Sequence, residues 1–464
     1  RGAVSIFLYG GSTAFGAPPY TQTCPVCTGQ PGVLPVMNRQ AVELALRTAV
    51  ALHCEVAPTT ILDRKNYYYP DLPKNYQISQ NYNDLGVSGW IDLEVNGHTR
   101  RVNIWNVHLE EDAGKLEHPE DTGAQYTAVD LNRAGTPLLE VVSAPDMRSA
   151  EEANAYMNEL AAVLRYLEVS DCKMEEGSLR FEAGISVRPA GSETMGNRVE
   201  VKNLNSMSAV CRAIEYEVRR QIEVLESGGT IPSQTMLWNV ARSMTGPMRG
   251  KEEAKDYRYF PEPDLVPVEI TKEWLDAVRA EMPELPAHKR KRFVTEYRLP
   301  GYDAAVLTED KEVAAYFEQV VKAGADPKLA SNWVMGEVMR ELNERKCGIN
   351  ELVVGPPMLA ELVALVATGE ISNTIGKEVF AEMAATGKNA GQVVEEKGLK
   401  QISDTDALEA EVQAVLDANA KALEDLKAGK KQTRGFLIGQ VMQATRGKAN
   451  PKMVGELIDK LAAQ

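Results

Sequence analysis

The sequence predicts an α+β protein: an N-terminal cradle of mixed, largely antiparallel sheet over residues 1–285, then all-α modules over residues 286–405 and 406–464. Three observations predict it. Strand-like alternation is concentrated before about Thr271; three capped amphipathic helices are interspersed with it; and beyond it the pattern is nearly continuous helix broken by Pro and Gly. A chain of 464 residues has material for two to four domains with separate cores. Hydrophobic residues make up 44% and charged residues 25%, an ordinary globular balance, and no run of 18 apolar residues is present to span a bilayer. The six cysteines (24, 27, 54, 172, 211 and 347) are sparse, which suits a reducing compartment better than a disulfide framework. With no export signal visible, a cytoplasmic location is expected.

Taken in order, Asn38 predicts the cap of a helix running to about His53. Ile91, Leu93 and Val95 alternate with charged residues up to Asn96-Gly97, a two-residue hairpin turn, and a return strand follows through Val102 and Ile104. If that strand continues, Trp105, Val107, Leu109 and Glu111 share one face, and Asn106, His108 and Glu110 the other. Ser149 with Glu152 is a capping-box pattern opening a helix to Leu167, and a third helix spans roughly Ser206 to Ser227 before Gly228-Gly229. Leu179 to Val187 alternates, with Arg180, Glu182 and Ser186 opposite the apolar side, and Val199 and Val201 repeat the pattern with Glu200 and Lys202 on the polar side. Two adjacent strands here would present an Arg, a Lys and two Glu from one sheet face. From about Ala407 a small helical module follows, with apolar positions from Leu408 to Met442.

Charge adds a constraint. The net charge of −15 opposes nonspecific coating of nucleic acid, yet Lys427 to Lys452 carries seven cations and no Asp or Glu. Such a segment touches a polyanion at one place, or is a solvated helix face.

Four clusters could carry chemistry. Cys24 and Cys27 form half of a zinc knuckle or a reduced pair in a tight loop. Asp63 to Asp71, with Arg64, Lys65, Asn66 and the rings of Tyr67, Tyr68 and Tyr69, can stack an unpaired base and hold its phosphate, or form a packed tyrosine-rich loop. His108-Leu109-Glu110-Glu111-Asp112 and Lys173-Met174-Glu175-Glu176 are acidic clusters of the kind that holds Mg²⁺ against phosphates, or solvated acidic edges. Arg180 and Lys202 nearby favour a phosphoryl site. There is no Walker-type loop, no dinucleotide fingerprint and no evident glutamine-hydrolysing centre.

Thr23 to Val36, Asp63 to Tyr67, Tyr76 to Gln80, Glu110 to Lys115, Asp130 to Arg133, Lys173 to Arg180, Lys202 to Ser206 and Asp256 to Asp264 together resemble the B subunits of aspartyl/glutamyl-tRNA amidotransferases, in order along the chain. The resemblance implies a kinase-like cradle, a helical domain and a YqeY-like tail domain that binds tRNA. It implies a ligase that forms carbon–nitrogen bonds: ATP and Mg²⁺ serve to phosphorylate the side-chain carboxylate of Glu-tRNA(Gln) or Asp-tRNA(Asn), and ammonia arrives from an amidase A subunit assembled with a small C subunit. It also implies roles. Glu111, Arg180 and Lys202 would be catalytic; Arg64, Lys65, Asn66, Tyr68, Gln80, Asn203 and Asn205 would bind ATP or the tRNA end. Glu111 and Glu182 would hold Mg²⁺, and Lys430, Lys431, Arg434, Arg446 and Lys448 would meet the tRNA; Zn²⁺ at Cys24 and Cys27 rests on their spacing alone, beside the reduced-pair reading. Two departures stand out: Glu182 replaces the family's Asp, and Arg1 to Tyr9 lacks the Gly-Leu-Glu-Val/Ile-His segment whose Glu and His serve as ligands. A catalytically silent tRNA-binding scaffold is the alternative.

Overall fold

A computed structural model describes residues 15–117, 126–248, 257–400, 405–427, 430–445, 449 and 451–462. The atypical segment Arg1 to Tyr9 lies outside them, as do Arg446 and Lys448 and the side chain of Lys431. The chain divides into two units, Arg1–Leu285 and Pro286–Gln464.

In the first unit the strands are, in chain order, β1 (Glu55–Val56), β2 (Thr59–Thr60), β3 (Asp63–Asn66), β4 (Tyr76–Ser79), β5 (Gly86–Val95), β6 (His98–Glu111), β7 (Lys115–Glu117), β8 (Ala128–Asp130), β9 (Pro137–Ser143), β10 (Phe181–Ile185), β11 (Val199–Leu204), β12 (Gln234–Asn239), β13 (Met244–Pro247), β14 (Phe260–Pro261) and β15 (Val268–Glu269). Its helices are α1 (Arg39–Ala51), α2 (Ala150–Tyr166), α3 (Met207–Glu226) and α4 (Lys272–Ala280). Two four-stranded sheets dominate, ordered β1-β5-β6-β9 and β10-β11-β12-β13, with β14-β3-β4 as a smaller third. The first is antiparallel throughout. The second is mixed, because β11 and β12 run parallel and α3 supplies the crossover that parallel neighbours need.

The helices start where their caps dictate. Asn38 accepts from the Gln40 N–H, Ser149 from that of Glu152 and Ser206 from that of Ala209, each cap contributing about 1 kcal/mol. The Glu152 carboxylate reaches back to the Arg148 N–H, one residue beyond the capping-box partner. Ile91, Leu93, Val102, Ile104 and Val107 of the first sheet and Ala183, Ile185, Val199, Val201 and Trp238 of the second share one core with α2 and α3. Burial of each Val, Leu or Ile among them contributes about 1.5–3 kcal/mol. The two sheets are therefore held as one body, open on the faces they turn away from that core.

Two strand expectations need correction. Alternation places Trp105 with Val107, Leu109 and Glu111, but its side chain is exposed. The ladder with β9 shifts register between Ile104 and Asn106, so Trp105 is the extra residue of a bulge and inward parity changes from Val102 and Ile104 to Val107, Leu109 and Glu111. The predicted strand from Leu179 to Val187 is regular only over Phe181–Ile185. Its pairing with β11 skips one residue between Phe181 and Ala183, where Asn203 takes up a left-handed φ of 64°.

In the second unit α5 (Pro286–Glu296), α6 (Gly301–Leu307), α7 (Lys311–Lys322), α8 (Pro327–Trp333), α9 (Met339–Arg345), α10 (Pro356–Ala367), α11 (Asn373–Thr386) and α12 (Ala390–Glu396) enclose one core around Phe293, Phe317, Trp333 and Phe380. A π-turn, Val334–Val338, joins α8 to α9. A separate core of Leu408, Val412, Leu416, Leu437, Val441, Val454 and Ile458 is formed by α13 (Thr405–Ala418), α14 (Ala420–Lys427), α15 (Lys431–Ala444) and α16 (Pro451–Ala462). Among the described residues no helix is long and apolar enough to cross a membrane.

Candidate active site in the sheet cradle

On the face of β6 and β9 that points away from the core, His108 stands directly opposite Glu140, with Glu110 two residues further along β6. The donor atoms of these three side chains lie within 4.8 Å of one another, the one such group of His, Cys, Asp or Glu among the described residues. His108 Nε2 is 3.4 Å from Glu140 Oε2, while its buried Nδ1 has no hydrogen-bond partner. Burial opposes a charged His108, but the Glu140 hydrogen bond and the surrounding carboxylates outweigh it and raise its pKa. The same hydrogen bond holds Glu140 below the usual carboxylate range. Glu110 is pushed up to about 7, chiefly by burial and then by the Glu140 charge.

Two lysines flank this group. Lys65 of β3 and Lys202 of β11 both help to pull Glu140 down, and Lys65 does the same to Glu110. Lys65 Nζ rests 4.9 Å from the Tyr257 ring centroid and 5.9 Å from that of Tyr67. Burial raises the Tyr67 and Tyr259 hydroxyls, and the Glu110 charge reinforces it at both. As the polar-face pattern predicts, Lys202 Nζ bonds Glu182 Oε1 at 2.8 Å and lies 3.3 Å from Glu200 Oε1. Strands from three sheets thus bring carboxylates, an imidazole and ammonium groups together.

The other expected residues take varied places. Arg64 is committed to a fork on Glu262 at 2.6 and 2.8 Å, reaches Asp264 at 3.2 Å and lies over the Tyr76 ring at 4.2 Å, tying β3 to the segment after β14. Asn66 donates to the Tyr257 and Arg258 carbonyls. Gln80 is buried, accepting from the Leu109 N–H at 2.8 Å and donating to Thr60 and to the Asn83 carbonyl. Asn203 donates to the Trp238 carbonyl at 3.1 Å. These four side chains brace the frame. Tyr68, 73% exposed, and Asn205, also exposed, face solvent.

The residues expected to hold metals fall outside the three-donor group. Glu111, on the inward face, is buried: Oε1 accepts from Lys74 Nζ and from the Ile78 N–H at 2.9 Å, and Oε2 has no partner. Glu182 is half exposed and bonded to Lys202. Cys24 and Cys27 are buried in the core beside α1, and among the described residues no set of three metal donors includes them. Arg180 donates to Asp112 Oδ2 at 2.5 Å. In the tail, Lys430 bonds Asp425 at 2.9 Å and Arg434 forks onto Asp459, exposed pairs that a phosphate can displace.

Sequence reasoning placed His108 and Glu110 only within a broader acidic cluster and gave no role to Glu140. For His108 the signal was present, since alternation puts it on the Glu110 face. Glu140, a lone acid among Leu138, Leu139, Val141 and Val142, could be tied to His108 only through the β6–β9 register. One imidazole and two carboxylates suit a hard divalent cation such as Mg²⁺ or Mn²⁺, and the unpartnered His108 nitrogen and the strained Glu110 charge are what such an ion would relieve.

The fold is a sheet-rich unit followed by helical modules, and relatives are known for both parts. Residues 5–276 match the family described as the GatB/GatE catalytic domain, and residues 315–461 match the one described as the GatB domain. The B subunit of the aspartyl/glutamyl-tRNA(Asn/Gln) amidotransferase of Moorella thermoacetica is 55% identical over 447 residues, covering 96% of this chain and 94% of that one. The proteins of the same name from Caldanaerobacter subterraneus and Geobacillus thermodenitrificans are 52% and 54% identical, covering 97% and 96% of this chain and 94% and 93% of theirs. The chain belongs to the family of aspartyl/glutamyl-tRNA(Asn/Gln) amidotransferase B subunits.

Proposed function

We propose that this chain is the component that binds misacylated tRNA and activates its aminoacyl side chain with ATP. The observation that carries this reading is the His108–Glu110–Glu140 group, on whose charges Lys65 and Lys202 act, in a chain at least half identical to named B subunits. A carboxylate resists amines until one oxygen becomes a good leaving group. In the proposed reaction a side-chain oxygen of Glu-tRNA(Gln) or Asp-tRNA(Asn) attacks the γ-phosphorus of ATP and the bond to ADP breaks. Ammonia from a partner glutaminase subunit then attacks the acyl carbon, phosphate leaves, and the surplus proton passes to solvent or a nearby base. A divalent cation held by His108, Glu110 and Glu140 would supply charge neutralisation at the phosphates. Lys65 and Lys202 steer the polyphosphate and the substrate carboxylate, and the tyrosine wall excludes water.

The test is the chain assembled with its amidase and small C partners, supplied with ATP, Mg²⁺ and Glu-tRNA(Gln) or Asp-tRNA(Asn). ADP release that depends on the misacylated tRNA is expected, with amidated tRNA as product. tRNA binding without ADP release would make the chain a scaffold instead.

The tail supports a second expectation. Removing everything after Leu426 would strip α15 and α16 from their shared core, so charge removal is the cleaner change. Lys427→Ala, Lys430→Ala and Lys431→Ala together should weaken tRNA binding, and the slope of log affinity against log salt should shrink by roughly one for each phosphate no longer neutralised. An unchanged slope in filter-binding titrations would exclude the tail from the interface.

A further inference from the structure

We propose that Asp112 is a positioning residue that holds the Arg180 guanidinium as an anion clamp at the edge of the carboxylate site; this rests on the functional reading above. Asp112 follows β6 two residues after Glu110, and every polar group it has is engaged. Its Oδ2 accepts from Arg180 at 2.5 Å and lies 3.1 Å from Arg133 Nε, and its Oδ1 accepts from the Ala113 N–H at 2.9 Å. Its own N–H donates to the Thr136 carbonyl at 2.8 Å, and its carbonyl accepts from the Gly135 N–H at 2.9 Å. Arg133 is fixed in turn by the Gly114 carbonyl at 2.8 Å and the Ala113 carbonyl at 3.3 Å. Gly114 admits no side chain there: a Cβ would stand 2.8 Å from the Asp130 carbonyl oxygen and 2.9 Å from Leu131. The carboxylate therefore sits in a rigid cradle, 6% exposed.

The charges do not balance within this triad. One arginine suffices to neutralise Asp112, and Arg133 is the one held by the surrounding backbone. Arg180 brings a second positive charge on a side chain that remains half exposed, with one nitrogen bonded to Asp112. Arg133 also acts on the Asp71 charge, so what singles out Arg180 is its exposure rather than its charge: a planar fork bonded to Asp112 through one nitrogen and half open to solvent suits a phosphoryl group. The location fits as well. Asp112 is close enough to act on the Glu110 charge, and Lys202, on the strand paired with β10, is close enough to act on Glu140. Arg180 enters β10 on the polar side shared with Glu182 and Lys202, so it reaches Asp112 across the gap between the two sheets. Free rotation of a long arginine would spread its charge over many positions; the bond to Asp112 selects one.

The experiment is a double-mutant cycle in the assembled complex, reading ADP release dependent on misacylated tRNA. Asp112→Asn should lower kcat by roughly 10²-fold while the KM for tRNA changes by less than about 3-fold, the signature of a displaced transition-state interaction. In an Arg180→Ala background the same change should cost less than about 3-fold, because its effect passes through the missing arginine. Asp112→Glu keeps the charge but shifts the guanidinium by about one methylene, and should behave likewise in both backgrounds; it serves if Asp112→Asn unfolds. Additive losses from Asp112 and Arg180 would overturn the proposal while leaving the functional reading intact. An unmutated complex without tRNA-dependent ADP release would overturn both.

Discussion

Glu140→Gln should reduce tRNA-dependent ADP release by about 10³-fold or more, with tRNA binding unchanged. Removing one of two carboxylates from a cation site forfeits several kcal/mol of charge neutralisation, and about 1.4 kcal/mol corresponds to each tenfold in rate. The substitution also releases His108 from its ion pair, so the imidazole loses the partner that raises its pKa. Direct binding provides a measurement independent of turnover. Mn²⁺ titrated calorimetrically into the chain should bind the unmutated protein and fail to bind the Glu140→Gln variant. The affinity should also fall as pH drops through about 7, where Glu110 takes up a proton that competes with the ion. Equal Mn²⁺ affinity in the two proteins, or affinity flat between pH 6 and 8, would remove the ion from these three residues.

The success of sequence reasoning varied with the range of the interactions involved. Helix starts at Asn38, Ser149 and Ser206 were legible because each cap is settled within four residues, and the Asn96-Gly97 hairpin because its turn fixes its own register. The polar face holding Glu182, Glu200 and Lys202 was legible for the same reason: two short alternating strands placed side by side leave little choice. The bulge at Trp105 was not, since nothing in the sequence around it distinguishes an extra residue from a continued strand. Register between distant strands was equally hidden, and it alone joins Glu140 to His108. The motif Glu110-Glu111-Asp112 shows the limit most clearly. Its three acids are adjacent in sequence, yet the pleat sends Glu110 to the open face and Glu111 into the core, while Asp112 leaves the strand to meet two arginines from elsewhere in the chain. Arg64 makes the same point: its Glu262 partner lies 198 residues away, so a cation that suggests ligand binding is already taken.

Glu111→Gln should unfold the cradle more readily, by about 3–5 kcal/mol, because it breaks a buried ion pair by removing one partner. The Lys74 and Glu111 side chains are 4% and 1% exposed, so a Lys74 ammonium deprived of the Glu111 carboxylate has little water to turn to. The Gln77 amide donates to the Glu111 carbonyl at 2.8 Å and the Ile78 N–H to its carboxylate at 2.9 Å, so the disturbance spreads along β4. Denaturant unfolding of the variant should show a lower midpoint with an unchanged slope, and tRNA binding should decline with it. Replacing both partners, Lys74→Met with Glu111→Leu, should recover much of that stability, because an apolar pair of similar volume carries no buried charge. The role that the resemblance implies for Glu111 gives the opposite pattern: a metal ligand could be neutralised with little loss of stability, and Mn²⁺ binding would vanish. Its buried Oε2, which has no hydrogen-bond partner, is the atom that such a role would use. A stable Glu111→Gln variant unable to bind Mn²⁺ would therefore return Glu111 to the metal and leave Lys74 as its neighbour in the site.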